Sequence, residues 1–399
     1  MKGVYQRCFW SKVFTRFPAH LQMVACLCRR PGMELLKRLF VTSLDPAWLT
    51  FGIFLGAVLT PEMLRAECTA YTGGSSATAA FTLRLSSACT EAEREARAIP
   101  AQDLLHALTS GKGIDLGGVV IQGDLLLDEL PLQKVAALRD LSPEDRRELE
   151  GLKDEGVHVI RGPFVIKNAR VEGRIVNRLK QGFLLITGPV VLAQTHFKGS
   201  VDLSRAVFLG LVDGSNATFE QESYFVQDRF TQGAMFSDTR FGPHARFHRS
   251  SFSGPAIFRG AAFNGLTEFL EVVFEQDATF SHASFHMGTG FSGAHCRGKC
   301  DFSSTQFDRE AFFLFALFDR STSFASARFG GQADFSDAAF KERDDLAQAV
   351  FVHPPLLTRT VRVTGTMPGR AEGSSSSLAL TIALFLTAFG LLLYIIRAK

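Results

Sequence analysis

The chain has 399 residues, enough for two or three domains, and a formal net charge of +3, too small to argue by itself for a polyanionic partner. Its 38 Phe exclude a disordered chain, because disordered segments are poor in aromatics.

Residues 1–66 read as a basic segment followed by a signal peptide or signal anchor. The stretch from Met1 to Gly32 holds Arg, Lys and three Cys but no acid, and Met33 offers an alternative start. Lys37 and Arg38 precede a thirteen-residue apolar run, Trp48 to Thr60, with Ala66 as the candidate cleavage position. Leu64, three residues before the cut, is not the preferred small residue. Cleaved or uncleaved, the segment places the body of the chain across the membrane from the cytoplasm.

Residues 67–156 form a helical head. Pro100 to Leu108 reads as a short amphipathic helix ending near Gly111 and Gly113, and Ile114–Leu116 and Val119–Leu127 as extended. Ser142, Pro143 and Asp145 give an N-cap, a Pro at the first helical position and an acid two residues later. They predict an inserted helix over about Pro143 to Lys153.

From His196 to Lys341 two tracks of Phe repeat every eleven residues. The first runs Phe197, Phe208, Phe219, Phe230, Phe241, Phe252, Phe263, Phe274, Phe285, Cys296, Phe307, Phe318, Phe329 and Phe340. The second runs Leu203, Gly214, Phe225, Phe236, Phe247, Phe258, Phe269, Phe280, Phe291, Phe302, Phe313, Phe324 and Phe335. Steps between tracks alternate five and six, and a mostly small residue stands two places before each position. A fixed period over this many copies is the signature of a solenoid. Period-two alternation puts the small residue and the Phe on one face of an extended segment, which a helix cannot do.

Units such as Ala217-Thr218-Phe219, Ala261-Ala262-Phe263 and Ala327-Arg328-Phe329 make the chain resemble the pentapeptide-repeat family. The resemblance covers about 145 residues and departs from the strict pattern by one extra residue in every second unit. It implies an all-β fold, a right-handed parallel β-helix of four sides, with the Phe stacked inside and about 22 residues per coil. The ladder alone gives six to seven coils, a rod about 30 Å long at roughly 4.8 Å per coil. The grid continues upstream at Phe164, Ile175 and Ile186, so the solenoid is expected over 157–340. The helix at Pro100 resembles the cover of the first coil in such rods. Gly214 leaves one slot without a side chain, marking a bulge or a small cavity.

Residues 341–377 read as a cap and linker, with a short capping helix over Glu342 to Phe351 closed by Pro354 and Pro355. Leu378 to Ile396 is nineteen residues without a charge, long enough to span a bilayer. Arg397 and Lys399 beyond it place the C-terminus in the cytoplasm and the β-helix on the extracytoplasmic side of a cell membrane.

The chemistry-bearing residues do not converge. His244/His248 and His282/His286 have i,i+4 spacing, but they lie in extended coils, where only multiples of 22 stack. The outward columns of the coil mix Arg, Asp, Ser and Val without consecutive carboxylates. No catalytic residue, metal or cofactor is therefore expected, nor a nucleic-acid partner. The expected role is a membrane-anchored structural or protein-interaction module whose protein partner the sequence does not identify. The alternatives are a DNA-mimicking topoisomerase inhibitor and a β-helix glycan-binding or glycan-processing protein. Cys296 and Cys300 point inward from neighbouring sides of one coil. Export would permit a disulfide between them, the other outcome being two buried thiols. Cys68 and Cys89 are a second candidate pair.

Overall fold

A computed structural model describes residues 67–73, 79–152, 155–179 and 181–363. The expected membrane span at Leu378–Ile396 and the apolar run at Trp48–Thr60 lie outside the described residues. Among the described residues no helix is long and apolar enough to cross a membrane.

Four sheets of 11, 11, 9 and 11 strands form the four faces of a coil, called here I to IV in the order the chain visits them. One coil is Val212–Asp213, Thr218–Phe219, Ser223–Tyr224 and Arg229–Phe230. Each strand pairs in parallel with its counterpart in the next coil, as Thr218 with Arg240 and Arg229 with Ser251. Strands of two residues cannot satisfy their backbone groups alone, so each coil is held by the coils above and below it.

The alternation of five and six has a backbone cause. Every eleventh residue from Arg205 to Asp337 adopts a left-handed conformation, with φ between 54° and 69°, and only Gly260 and Gly293 among them are glycine. These residues turn the five-residue corners, where Gly214 O, for example, accepts from Ala217 N at 3.1 Å. The six-residue corners between ladder residues have no left-handed residue except Gly233 (φ 90°), but successive coils approach closely there. A Cβ on Gly265 would lie 1.7 Å from Pro243 O.

The rod is longer than the ladder implied. Ile99 already pairs with Ile121, one regular coil on, so the solenoid begins well before residue 157. Val120 next pairs with Arg170, fifty residues on, because an insertion interrupts the coil. Arg170 pairs with His196 at 26, and the spacing is 22 thereafter. Four extra residues before Phe183 explain the step of 26, and they correct the upstream grid. Phe164 pairs with Val190 and Ile175 with Val201, both small-residue slots, whereas Ile186 does pair with Phe208. At the other end Phe351 stacks on Phe329 at 4.8 Å and Val361–Arg362 pairs with Ala339–Phe340. Eleven stacked strands make a rod of roughly 48 Å.

The inserted helix spans Pro143–Glu148, shorter than expected, followed by a 3-10 turn at Glu150–Leu152. Its Ser142 cap and Asp145 form a capping box. The insertion covers the outside of face IV, packing Val135, Leu138 and Leu149 against Val157, Leu185, Val207 and Leu209. That second core explains why the outward slot at Val207 is apolar. The head helix, Ala101–Thr109, buries Leu104 and Leu108 in the main core. The expected capping helix over Glu342–Phe351 is reduced to one 3-10 turn, Leu346–Gln348. Asp344 and Asp345 oppose a longer helix by accepting from Leu346 N and from Ser323 Oγ and Phe324 N. Leu346 and Phe351 are thereby left to the core and the strand stack.

Candidate interaction surfaces

All 24 ladder Phe are at most 2% exposed and stand in four columns. Within a column the rings stack with centroids 4.4 to 5.3 Å apart, as Phe230 on Phe252 and Phe219 on Phe241. Across the coil, rings of faces I and III meet edge to face, as Phe247 with Phe258 at 5.3 Å and 84°. Both geometries suit the ring quadrupole. Because every ladder Phe is spent inside, only the outward columns and corners are open to solvent.

Gly214 marks neither a bulge nor a cavity. A Cβ there would lie 2.6 Å from Phe236 Cδ1, so the neighbouring ring already occupies the slot. The structure joins Cys296 to Cys300, with Cα atoms 6.2 Å apart and both residues buried. Their sulfurs fill the gap in the column between Phe274 and Phe318. Cys68 is joined to Cys89 with Cα atoms 4.3 Å apart, tying down the chain before Ala70–Thr72.

Sequence reading missed one buried charge. Asp228 takes a small-residue slot on face IV and is 1% exposed. Burial pushes its carboxyl well above the usual carboxylate range, against the hydrogen bond from Ala206 N at 2.8 Å. Its Oδ2 has no partner.

The corners carry charge in a regular way. Arg249 pairs with Glu271 at 2.8 Å, Arg297 with Glu275 at 2.9 Å, Arg320 with Glu342 at 3.0 Å and Arg359 with Asp337 at 2.5 Å. Each pair bridges two adjacent coils. The Arg249 hydrogen bond holds Glu271 below its ordinary value, and Arg359 does the same for Asp337. An open groove of about 510 Å³ lies among Glu275, Asp277, Arg297, Lys299, Arg320 and Glu342. Its acids and bases largely answer one another: Arg297 Nη1 donates to both Glu275 oxygens and Lys299 N to Asp277 Oδ1. Rows of alternating sign differ from the uniform negative spacing of a phosphate backbone.

The histidines stay apart. His286 Nδ1 lies 2.7 Å from Asp308 and His295 Nε2 3.0 Å from Asp319. Among the described residues no group of three or more His, Cys, Asp or Glu could hold a metal.

One surface differs in kind. At the corner between faces III and IV the coil Phe312–Leu317 reads FFLFAL, and only Phe313 and Ala316 of these are buried. Phe312 is 41% exposed and Phe315 57%, and Phe315 sits in the left-handed slot at φ 56°. The coil before it offers Gly290, Ser292 and Gly293 opposite Phe312, Leu314 and Phe315, and His295 opposite Leu317. An exposed Phe in a strained backbone slot, beside a row of small residues, makes an apolar ridge with a shallow step above it. The signal was present in the sequence: five of these six side chains are large and apolar, more than two inward slots need.

The rod is similar to the pentapeptide repeats. Residues 203–251 and 247–295 match the family model described as pentapeptide repeats (9 copies), and the Phe-filled columns are consistent with that match. No curated protein and no solved structure matches the chain. The matched stretches begin at Leu203, where the coil has become regular, and precede the Phe312–Leu317 ridge. That ridge therefore lies on repeat architecture without being part of the matched segment.

Proposed function

We propose that the chain is a membrane-anchored, extracytoplasmic repeat module that holds a protein partner on its flank. The observation that carries the binding role is the Phe312–Leu317 ridge. It exposes two Phe in a corner column that elsewhere carries ion pairs, Arg249–Glu271 before it and Asp337–Arg359 after it. A rigid aromatic side chain on a fixed backbone is a low-entropy contact of the kind that anchors interfaces. The uncharged stretch Leu378–Ile396 supports anchoring, and two cysteine pairs support an oxidising compartment.

The test is a photo-cross-linking residue in place of Phe315, with the same residue in place of Gln227, the equivalent slot four coils earlier, as control. In native membranes the Phe315 position yields one discrete adduct and the Gln227 position none. No adduct at Phe315, or the same adducts at both positions, would remove the ridge as the binding surface.

A further inference from the structure

The outward columns change character at the end of the rod. On face II they run Thr218, Arg240, Ala262, Ser284, Gln306 and Arg328, and then Val350. On face III Asp334 is followed by Leu356, and on face IV Ala339 by Val361. Val350, Leu356 and Val361 are 46–52% exposed, and Val352, Leu357 and Val363 beside them are exposed as well. Several charges of this coil are held by partners, Arg343 and His353 remaining exposed beside the apolar residues. Arg362 is held by Asp344, with Nε 2.9 Å from Oδ2, and Arg359 by Asp337. Asp345 bonds back to Phe324 N and Ser323 Oγ. The final coil thus wears an apolar collar on three of its four faces, around an end where unpaired strand edges need a cover.

We propose that this collar seats in the headgroup region of a lipid bilayer, so that the rod stands end-on to the membrane. This rests on the anchoring proposed above. The chain leaves the last coil at Val363, and fourteen residues separate it from the uncharged stretch beginning at Leu378. For a random-coil chain of that length the mean span is about 20 Å. With the N-terminal segment cleaved, the end of the rod that is apolar is therefore the end tethered nearest the bilayer. A coil is about 4.8 Å high, and interfacial apolar faces enter the headgroup boundary by about 5–10 Å, so one coil suffices. Burying the collar also leaves the Phe312–Leu317 ridge two coils higher, clear of the surface and open to a partner.

The test uses the full chain in phosphatidylcholine vesicles, with Trp10→Phe and Trp48→Phe removing the native indoles. One variant adds Val352→Trp in the collar. The other adds Thr218→Trp, on face II six coils away from Val350. Brominated phosphatidylcholine should quench the Val352→Trp fluorescence at least twofold and leave Thr218→Trp unchanged, while aqueous iodide should do the reverse. Equal iodide quenching of both variants would overturn the seating. Shielding of Val352→Trp from iodide without lipid quenching would also overturn it, assigning the collar to a second copy or to residues 364–377. Flotation of the vesicles separates the two claims: a chain that floats but shows no lipid quenching refutes seating alone, whereas one that does not float refutes the anchoring as well.

Discussion

Phe258 lies at the middle of the Phe core, and its truncation tests the packing account most severely. It is fully buried, stacks on Phe236 at 5.3 Å and Phe280 at 5.0 Å, and meets Phe247 and Phe269 edge to face at 5.3 and 5.2 Å. Phe258→Ala removes the ring and leaves a cavity that four fixed rings cannot close. Core Phe truncations cost about 3–5 kcal/mol, and the lost ring pairs place this one at the upper end. Phe258→Leu should cost only about 1–2 kcal/mol, since Leu192 and Leu203 already fill central slots of this core. Each coil touches only its neighbours, so the damage should be local. Urea unfolding followed by far-ultraviolet circular dichroism gives the size of the loss. Amide exchange gives its place, with protection lost between about residues 236 and 280 and retained near Phe197. A loss below about 1 kcal/mol for Phe258→Ala, or uniform loss of protection along the rod, would refute this reasoning.

Gly214→Ala should destabilise by about 1–3 kcal/mol by overpacking, the reverse of the usual gain for this change, because the new Cβ meets Phe236; a raised urea midpoint would contradict it. In a Cys68→Ala, Cys89→Ala background that removes the other disulfide, the double change Cys296→Phe, Cys300→Ala completes the Phe274–Phe318 column and should give a urea midpoint insensitive to reductant. The same background with Cys296 and Cys300 kept should lose roughly 2 kcal/mol on reduction of this short loop. Asp228→Ser should stabilise the rod at neutral pH by about 1–3 kcal/mol. Burial raises the Asp228 carboxyl above its ordinary 3.8 in the folded state, so its stability contribution is full below that value, falls as pH rises through the raised value, and is flat above it. Urea midpoints measured across this range should show that slope for Asp228 and lose it for Ser.

The eleven-residue period made the four columns legible before any coordinates, because inward and outward positions follow from alternation alone. The rows Thr218 to Arg328 and Val207 to Ala339 are the columns that pair in the structure. What the period could not reveal lies where it breaks. The insertion at 127–156 puts the coil of Val120 and Ile121 fifty residues from the next, so the regular step from Ile99 to Ile121 stands isolated from the rest of the repeat. Four residues before Phe183 shift Phe164 and Ile175 into small-residue slots while keeping an apolar pattern. Asp228 was unreadable as a buried acid because Ser250 and Thr239 occupy equivalent small slots and share its role of bonding a corner backbone group. The ridge was legible in the sequence: Phe312 and Leu317 stand in outward columns, where an apolar side chain has no place in the core.

Topology tests the account's central claim most directly. Reporter enzymes fused after Gly373 and after Lys399 should behave oppositely, the first active only outside the cytoplasm and the second only inside it. A cytoplasmic readout from the Gly373 fusion would contradict an extracytoplasmic rod, and with it the oxidised cysteines and the anchored binding role.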